Sequence, residues 1–94
     1  MRLMMIVVDA ALREEVEILL RKAGAQGYTE LGPAVGWGET GLRLGSGAFP
    51  STSSVLFSVL GPDAEAQVRI ALAGFEQGNE HRVRAYAWPV DEVA

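Results

Sequence analysis

The chain has 94 residues, 49% of them hydrophobic, and a formal net charge of −4, a balance that excludes intrinsic disorder and argues against gripping nucleic acid or an anionic membrane. Cysteine is absent, which removes disulfides, thiolate metal sites and cysteine nucleophiles. Between Arg2 and Asp9 lie only the six apolar residues 3–8, too few for a secretory signal or a membrane span, so a single cytoplasmic domain (residues 1–94) with a modest core is expected.

Residues 3–8, Leu-Met-Met-Ile-Val-Val, are apolar at both alternating positions, as in a central strand covered on both faces. Asp9 is suited to cap a helix in which Leu12, Val16, Leu19, Leu20 and Ala23 share one face, with Gly24 as its stop. A second strand is predicted over about residues 27–35, where Gly32-Pro33 calls for a bulge or an edge position. Residues 36–52 follow: 17 residues, five of them glycine, with no helical or strand period. A small domain rarely carries so long a loop without using it, so function is sought there.

Residues 55–60 read as a third strand, and Gly61-Pro62-Asp63 as the start of a second helix. Ala64, Val68, Ala71, Leu72 and Phe75 form its apolar stripe, Gly74 interrupts it late, and Gly78-Asn79 ends it. Residues 82–90 alternate over their first half and supply a fourth strand. The order βαββαβ gives an α+β, ferredoxin-like fold: a four-stranded antiparallel sheet with two helices on one face. Residues 3–8 are apolar on both faces, so the face without helices is expected to be covered by further copies of the chain.

Gly27-Tyr28-Thr29-Glu30, then Gly36-Trp37-Gly38 and a long loop, resembles the PII signalling family's glycine-hydrophobic-threonine strand, glycine-aromatic-glycine turn and T-loop. Residues 83–93 are similar to that family's last core strand and its proline-valine-acidic close. The likeness spans most of the chain in the same element order. It implies a homotrimer with effectors in clefts between subunits and a T-loop that changes shape to engage a target, such as a transporter or an enzyme. In nucleotide-binding members the threonine of the second strand and the glycines at the loop base contact the ligand, which carries over to Thr29, Gly36 and Gly38. The family's glycine-rich B-loop with its lysine would lie between Phe75 and Val83. Here that interval is Glu76-Gln77-Gly78-Asn79-Glu80-His81-Arg82, with one glycine and no lysine. The resemblance thus implies a divergent member outside the typical ATP/ADP and 2-oxoglutarate class, with an adenine nucleotide as the first ligand to test.

Gly36-Trp37-Gly38-Glu39-Thr40-Gly41 also spells G-x-G-x-x-G, but no helix follows to receive a pyrophosphate, so a dinucleotide-binding fold is rejected. Trp37, flanked by glycines, can lie over a ligand or pack on a neighbouring subunit. Arg43 with Glu39 reads as an exposed loop ion pair or as an anion-binding residue with its partner. Arg82 and Arg84 alternate on the fourth strand, either as a polar outer face or as partners of a phosphate or carboxylate. His81 beside Glu80 reads as a solvated turn residue, or as one metal ligand whose companions would come from elsewhere. Ser51-Thr52-Ser53-Ser54 lacks the oriented base that an activated hydroxyl needs, and no enzymatic activity is expected.

The leading expectation is a sensor of a small anionic effector, bound by Thr29, Gly36, Trp37, Gly38, Glu39, Arg43, Arg82 and Arg84, with main-chain N–H groups of the glycines forming an anion-accepting concavity. No metal, nucleic acid or direct membrane insertion enters that reading. A divalent-metal-binding trimer resembling the CutA group and a ligand-free structural oligomer are the alternatives.

Overall fold

The computed structural model describes residues 1–38, 41–43, 45–48, 50–79 and 82–94. Along the chain come β1 (Arg2–Asp9), a 3-10 turn (Ala10–Leu12), α1 (Arg13–Lys22), β2 (Thr29–Ala34), β3 (Gly36–Gly38), β4 (Gly41–Arg43), β5 (Ser53–Leu60), α2 (Pro62–Gly78) and β6 (Val83–Pro89). The main sheet is antiparallel in the order β2-β5-β1-β6, and β3 with β4 makes a separate two-stranded hairpin. This is the ferredoxin-like α+β arrangement. Among the described residues no helix is long and apolar enough to cross a membrane.

With β5, β1 is one of the two interior strands, and from Leu3 to Val8 it is apolar on both faces. Its inward set, Met4, Ile6 and Val8, packs with Leu56, Leu60 and Val83 against Val16 and Leu20 of α1 and Val68 and Leu72 of α2. Ile6, Leu20 and Leu56 are at most 1% exposed, and burial of each such side chain contributes about 1.5–3 kcal/mol. Ser58 shares that face, and its hydroxyl donates to the Gly27 carbonyl at 2.6 Å, so its burial leaves no hydroxyl unsatisfied.

The Asp9 carboxylate accepts from the Ala11 N–H at 2.9 Å, the cap expected from sequence. It starts the 3-10 turn, so α1 begins only at Arg13. Glu14 and Glu15 sit in the first turn of α1 and Arg21 and Lys22 in its last, complementing the helix dipole. Gly24 follows with φ of +95°, the left-handed conformation expected of the stop. In α2, Pro62 occupies the first turn as predicted, but Gly74 does not interrupt the helix, which runs on to Gly78. Phe75, packed against the core beyond Val68 and Leu72, keeps that last part docked.

β2 is an edge strand, shorter than predicted, with a register shift against β5 between Leu31 and Ala34 where Gly32-Pro33 lies. Residues 36–52 are not one featureless loop. Gly36 pairs with Arg43, Trp37 with Leu42 and Gly38 with Gly41. Three-residue strands are too short to show a period, which is why the sequence reading passed over them.

The second face of the sheet has no helices. Across it Leu3 stands between Val59 and Trp88, Met5 between Phe57 and Tyr86, and Val7 between Val55 and Arg84, with Leu31 opposite Val55. Leu31 is 57% exposed, Val59 51% and Tyr86 55%. One chain leaves this apolar surface uncovered.

Candidate functional site

A cleft of about 340 Å³ opens where the end of β1 meets the hairpin. It is lined by Val7, Val8 and Asp9 of β1, Ser53 and Val55 of β5, residues 34–38, Arg43 of β4, and Arg82 and Arg84 at the start of β6. Two main-chain bonds hold this junction together. The Asp9 N–H donates to the Arg82 carbonyl at 2.9 Å, and the Ala10 N–H to the Thr52 carbonyl at 3.0 Å, so β1 is laced to both chain segments that frame the cleft.

Asp9 is also the electrostatic centre. Arg43 Nη1 donates to its Oδ2 at 2.8 Å, and Arg82 approaches the same oxygen with Nη2 at 3.3 Å and Nε at 3.4 Å. The side chains of Asp9 and Arg43 are only 10% and 13% exposed. Burial works against ionisation of Asp9, yet the Ala11 N–H, the Arg43 hydrogen bond and the charges of Arg43 and Arg82 outweigh it and hold the carboxyl below its ordinary value. Arg84 Nη1 donates to the Val83 carbonyl at 3.3 Å and lies 3.7 Å from Glu76 Oε1 of α2. Among the described lining residues, the cleft thus carries three guanidiniums and one carboxylate, with Arg43 and Arg82 meeting Asp9 and Arg84 meeting Glu76.

Of the residues singled out from the sequence, Gly36, Trp37, Gly38, Arg43, Arg82 and Arg84 all line this cleft. Thr29 does not: it lies on β2 opposite Phe57, on the uncovered sheet face. Glu39 lies outside the described residues, as do Glu80 and His81. Arg43, read as an exposed loop residue, is in fact largely buried against Asp9, because the hairpin folds its strand back over the end of β1. Gly36 and Gly38 are paired across to β4, so a hairpin rather than an open loop shapes the concavity. A Cβ at either would meet nothing within 4 Å, whereas Gly41 has φ of +94° and needs to be glycine for the bend. Trp37 is 83% exposed.

Asp9, Val7, Val35 and Val55 belong to the cleft and were not foreseen as site residues. A charged residue ending an otherwise apolar central strand was the available signal for Asp9, and its fitness as a helix cap hid it. A second ionic cluster ties α1 to β2: Arg13 Nη2 donates to Glu17 at 3.1 Å, Glu30 at 2.7 Å and the Tyr28 hydroxyl at 3.2 Å. It sits away from the cleft and fixes β2 in place. Among the described residues no group of three or more His, Cys, Asp or Glu could hold a metal ion.

No protein-family model and no curated protein matches the sequence. Solved structures do match. CPII from Thiomonas intermedia K12, bound to ADP and bicarbonate, superposes with a TM-score of 0.77 at 20% identity, over 93% of this chain and 82% of that one. A second structure of CPII, a nitrogen regulatory PII-like protein, bound to ADP, AMP and bicarbonate, gives 0.76 at 20% identity over 95% and 86%. The fold is that of the PII-like proteins. A PII-like signaling protein from Thermus thermophilus adds a TM-score of 0.68 at 22% identity, over 93% of this chain and 82% of that one. At these identities the PII-like likeness fixes the arrangement of elements, while the chemistry rests on the side chains of the cleft.

Proposed function

We propose that this chain is a PII-like sensor that binds a small anionic effector in the cleft beside the hairpin, with an adenine nucleotide as the first ligand to test. The convergence of Arg43, Arg82 and Arg84 on a concavity edged by Gly36, Trp37 and Gly38 carries this reading. Guanidiniums suit phosphate and carboxylate oxygens, and the exposed indole of Trp37 offers a flat surface to a base. The ADP, AMP and bicarbonate bound by CPII support the same ligand class.

The working form is a cytoplasmic homotrimer built on the uncovered sheet face. That assembly would bring Thr29 to a seam between subunits and complete the cleft from a neighbouring chain. Effector binding reorders residues 36–52 and changes their hold on a partner protein, a transporter or an enzyme; a loop of this kind is redistributed by a few kcal/mol of binding energy. The reading assigns no catalytic step. Among the described residues no observation favours the metal-binding or purely structural alternatives.

Thermal melting against ADP, ATP, AMP, bicarbonate and divalent metals tests the ligand class. A ligand selective for the folded state at 100 times its Kd stabilises by about 2.7 kcal/mol, which is a rise of several degrees in a domain of this size. A flat response to every nucleotide and anion overturns the effector assignment. Light scattering tests the assembly: the expected mass is three times the 10.1 kDa chain, and a monomer at micromolar concentration contradicts it.

A further inference from the structure

The cleft assigned above to an anion already contains one. Asp9 Oδ2 takes the hydrogen bond of Arg43 at 2.8 Å and the approach of Arg82 at 3.3 Å, while Oδ1 is engaged by the Ala11 N–H at 2.9 Å. The two sides of this contact differ in rigidity. Asp9 ends an eight-residue strand at the centre of the sheet, and its own N–H and that of Ala10 are bonded to Arg82 and Thr52. Arg43 stands on a three-residue strand that, among the described residues, pairs with β3 alone. The carboxylate is fixed, and the guanidinium that meets it is carried by the smaller element.

We propose that Asp9 is a tethered competitor for the effector: its carboxylate occupies Arg43 and Arg82 in the ligand-free chain, and an incoming anion binds by taking Arg43 from it. The inference rests on the anion-binding reading of this cleft and adds its regulation. Asp9 lowers effector affinity and makes occupancy legible at the hairpin, since two anions brought together repel each other and compete for the charge and the N–H donors of one guanidinium. Effector arrival and release of β4 from the end of β1 become one event.

Asp9→Asn isolates the charge, because asparagine caps a helix as well as aspartate does and preserves the bond to Ala11. Isothermal titration of the full chain with ADP and with inorganic phosphate at low salt is expected to show binding to Asp9→Asn about tenfold tighter than to wild type. Hydrogen exchange at residues 36–38 and 41–43 is expected to quicken in the ligand-free variant. Asp9→Ser, which also caps but brings no carboxylate, repeats the measurement should the asparagine variant fold poorly. Faster exchange with unchanged affinity makes Asp9 a structural clasp only, and weaker binding makes it a positioning group; either result overturns the proposal while the anion reading stands. Binding by the variants alone supports it. Absence of binding by wild type and variants alike overturns the anion reading and this inference with it.

Discussion

An aspartate that is nine-tenths shielded from water and faces two arginines releases its proton more readily than in an unfolded chain. Its folded value lies below the unfolded value of about 3.9, so it contributes stability above that pH and loses the contribution as pH falls through the folded value. Replacing Asp9 with asparagine is expected to cost about 1–3 kcal/mol at pH 7, since a largely buried charge that meets both Arg43 and Arg82 is removed. Urea denaturation at pH 7 and near pH 3 checks this: the gap between wild type and variant should narrow in acid, and an undiminished gap would contradict the assignment. At this scale the sequence was partly readable. Asp9 could be recognised as a cap because its partner lies two residues away. Its other partners lie 34 and 73 residues away, and no local spacing encodes such a meeting. The same limit explains why the sequence offered nearby Glu39, which lies outside the described residues, and not Asp9 as a partner for Arg43.

Among the elements, those with several turns or many alternations were legible, because burial of a face imposes a period on the residues that make it. α2 and the paired strands β1 and β5 belong here. The β3–β4 hairpin did not show, having three residues on each side, and the 3-10 turn displaced the start of α1 without changing its apolar stripe. Glycines give a test with opposite signs. Gly24 has φ of +95° and open space around it, so alanine there is strained by backbone alone and should destabilise by about 1 kcal/mol. Gly74 lies inside α2, exposed, with nothing within 4 Å of an added Cβ. Gly74→Ala should therefore stabilise by roughly 0.5–1 kcal/mol. Chemical denaturation of the two variants reads both; a shift of the same sign would mean that one of these backbone conformations is wrongly understood.

For the molecule as a whole, the unusual feature is a sheet with one clothed face. β1 announced this, since a strand apolar on both sides requires two covers and two helices supply one. What the sequence did not convey was the breadth of the bare surface, which depends on register: Val59, Leu3 and Trp88 form one row, Phe57, Met5 and Tyr86 the next. Val59 is 51% exposed, so Val59→Glu leaves the helix-side core intact while placing a charge where a partner subunit would desolvate it. The expected outcome is a folded monomer by circular dichroism and light scattering; an unchanged oligomer would move the interface elsewhere. The cleft at the end of β1 reached into the same bare surface through Val7 and Val55, which is why its lining exceeded the loop and arginines that the motif suggested.

The outermost strand of that sheet has its own consequence. Between Leu31 and Ala34 its ladder to β5 slips, and Pro33 offers no amide hydrogen to a newcomer on the free side. An extended peptide arriving at this flank meets a comb with missing teeth, so ribbon-like accretion, the hazard of any sheet with an apolar broadside, is discouraged where it would otherwise start.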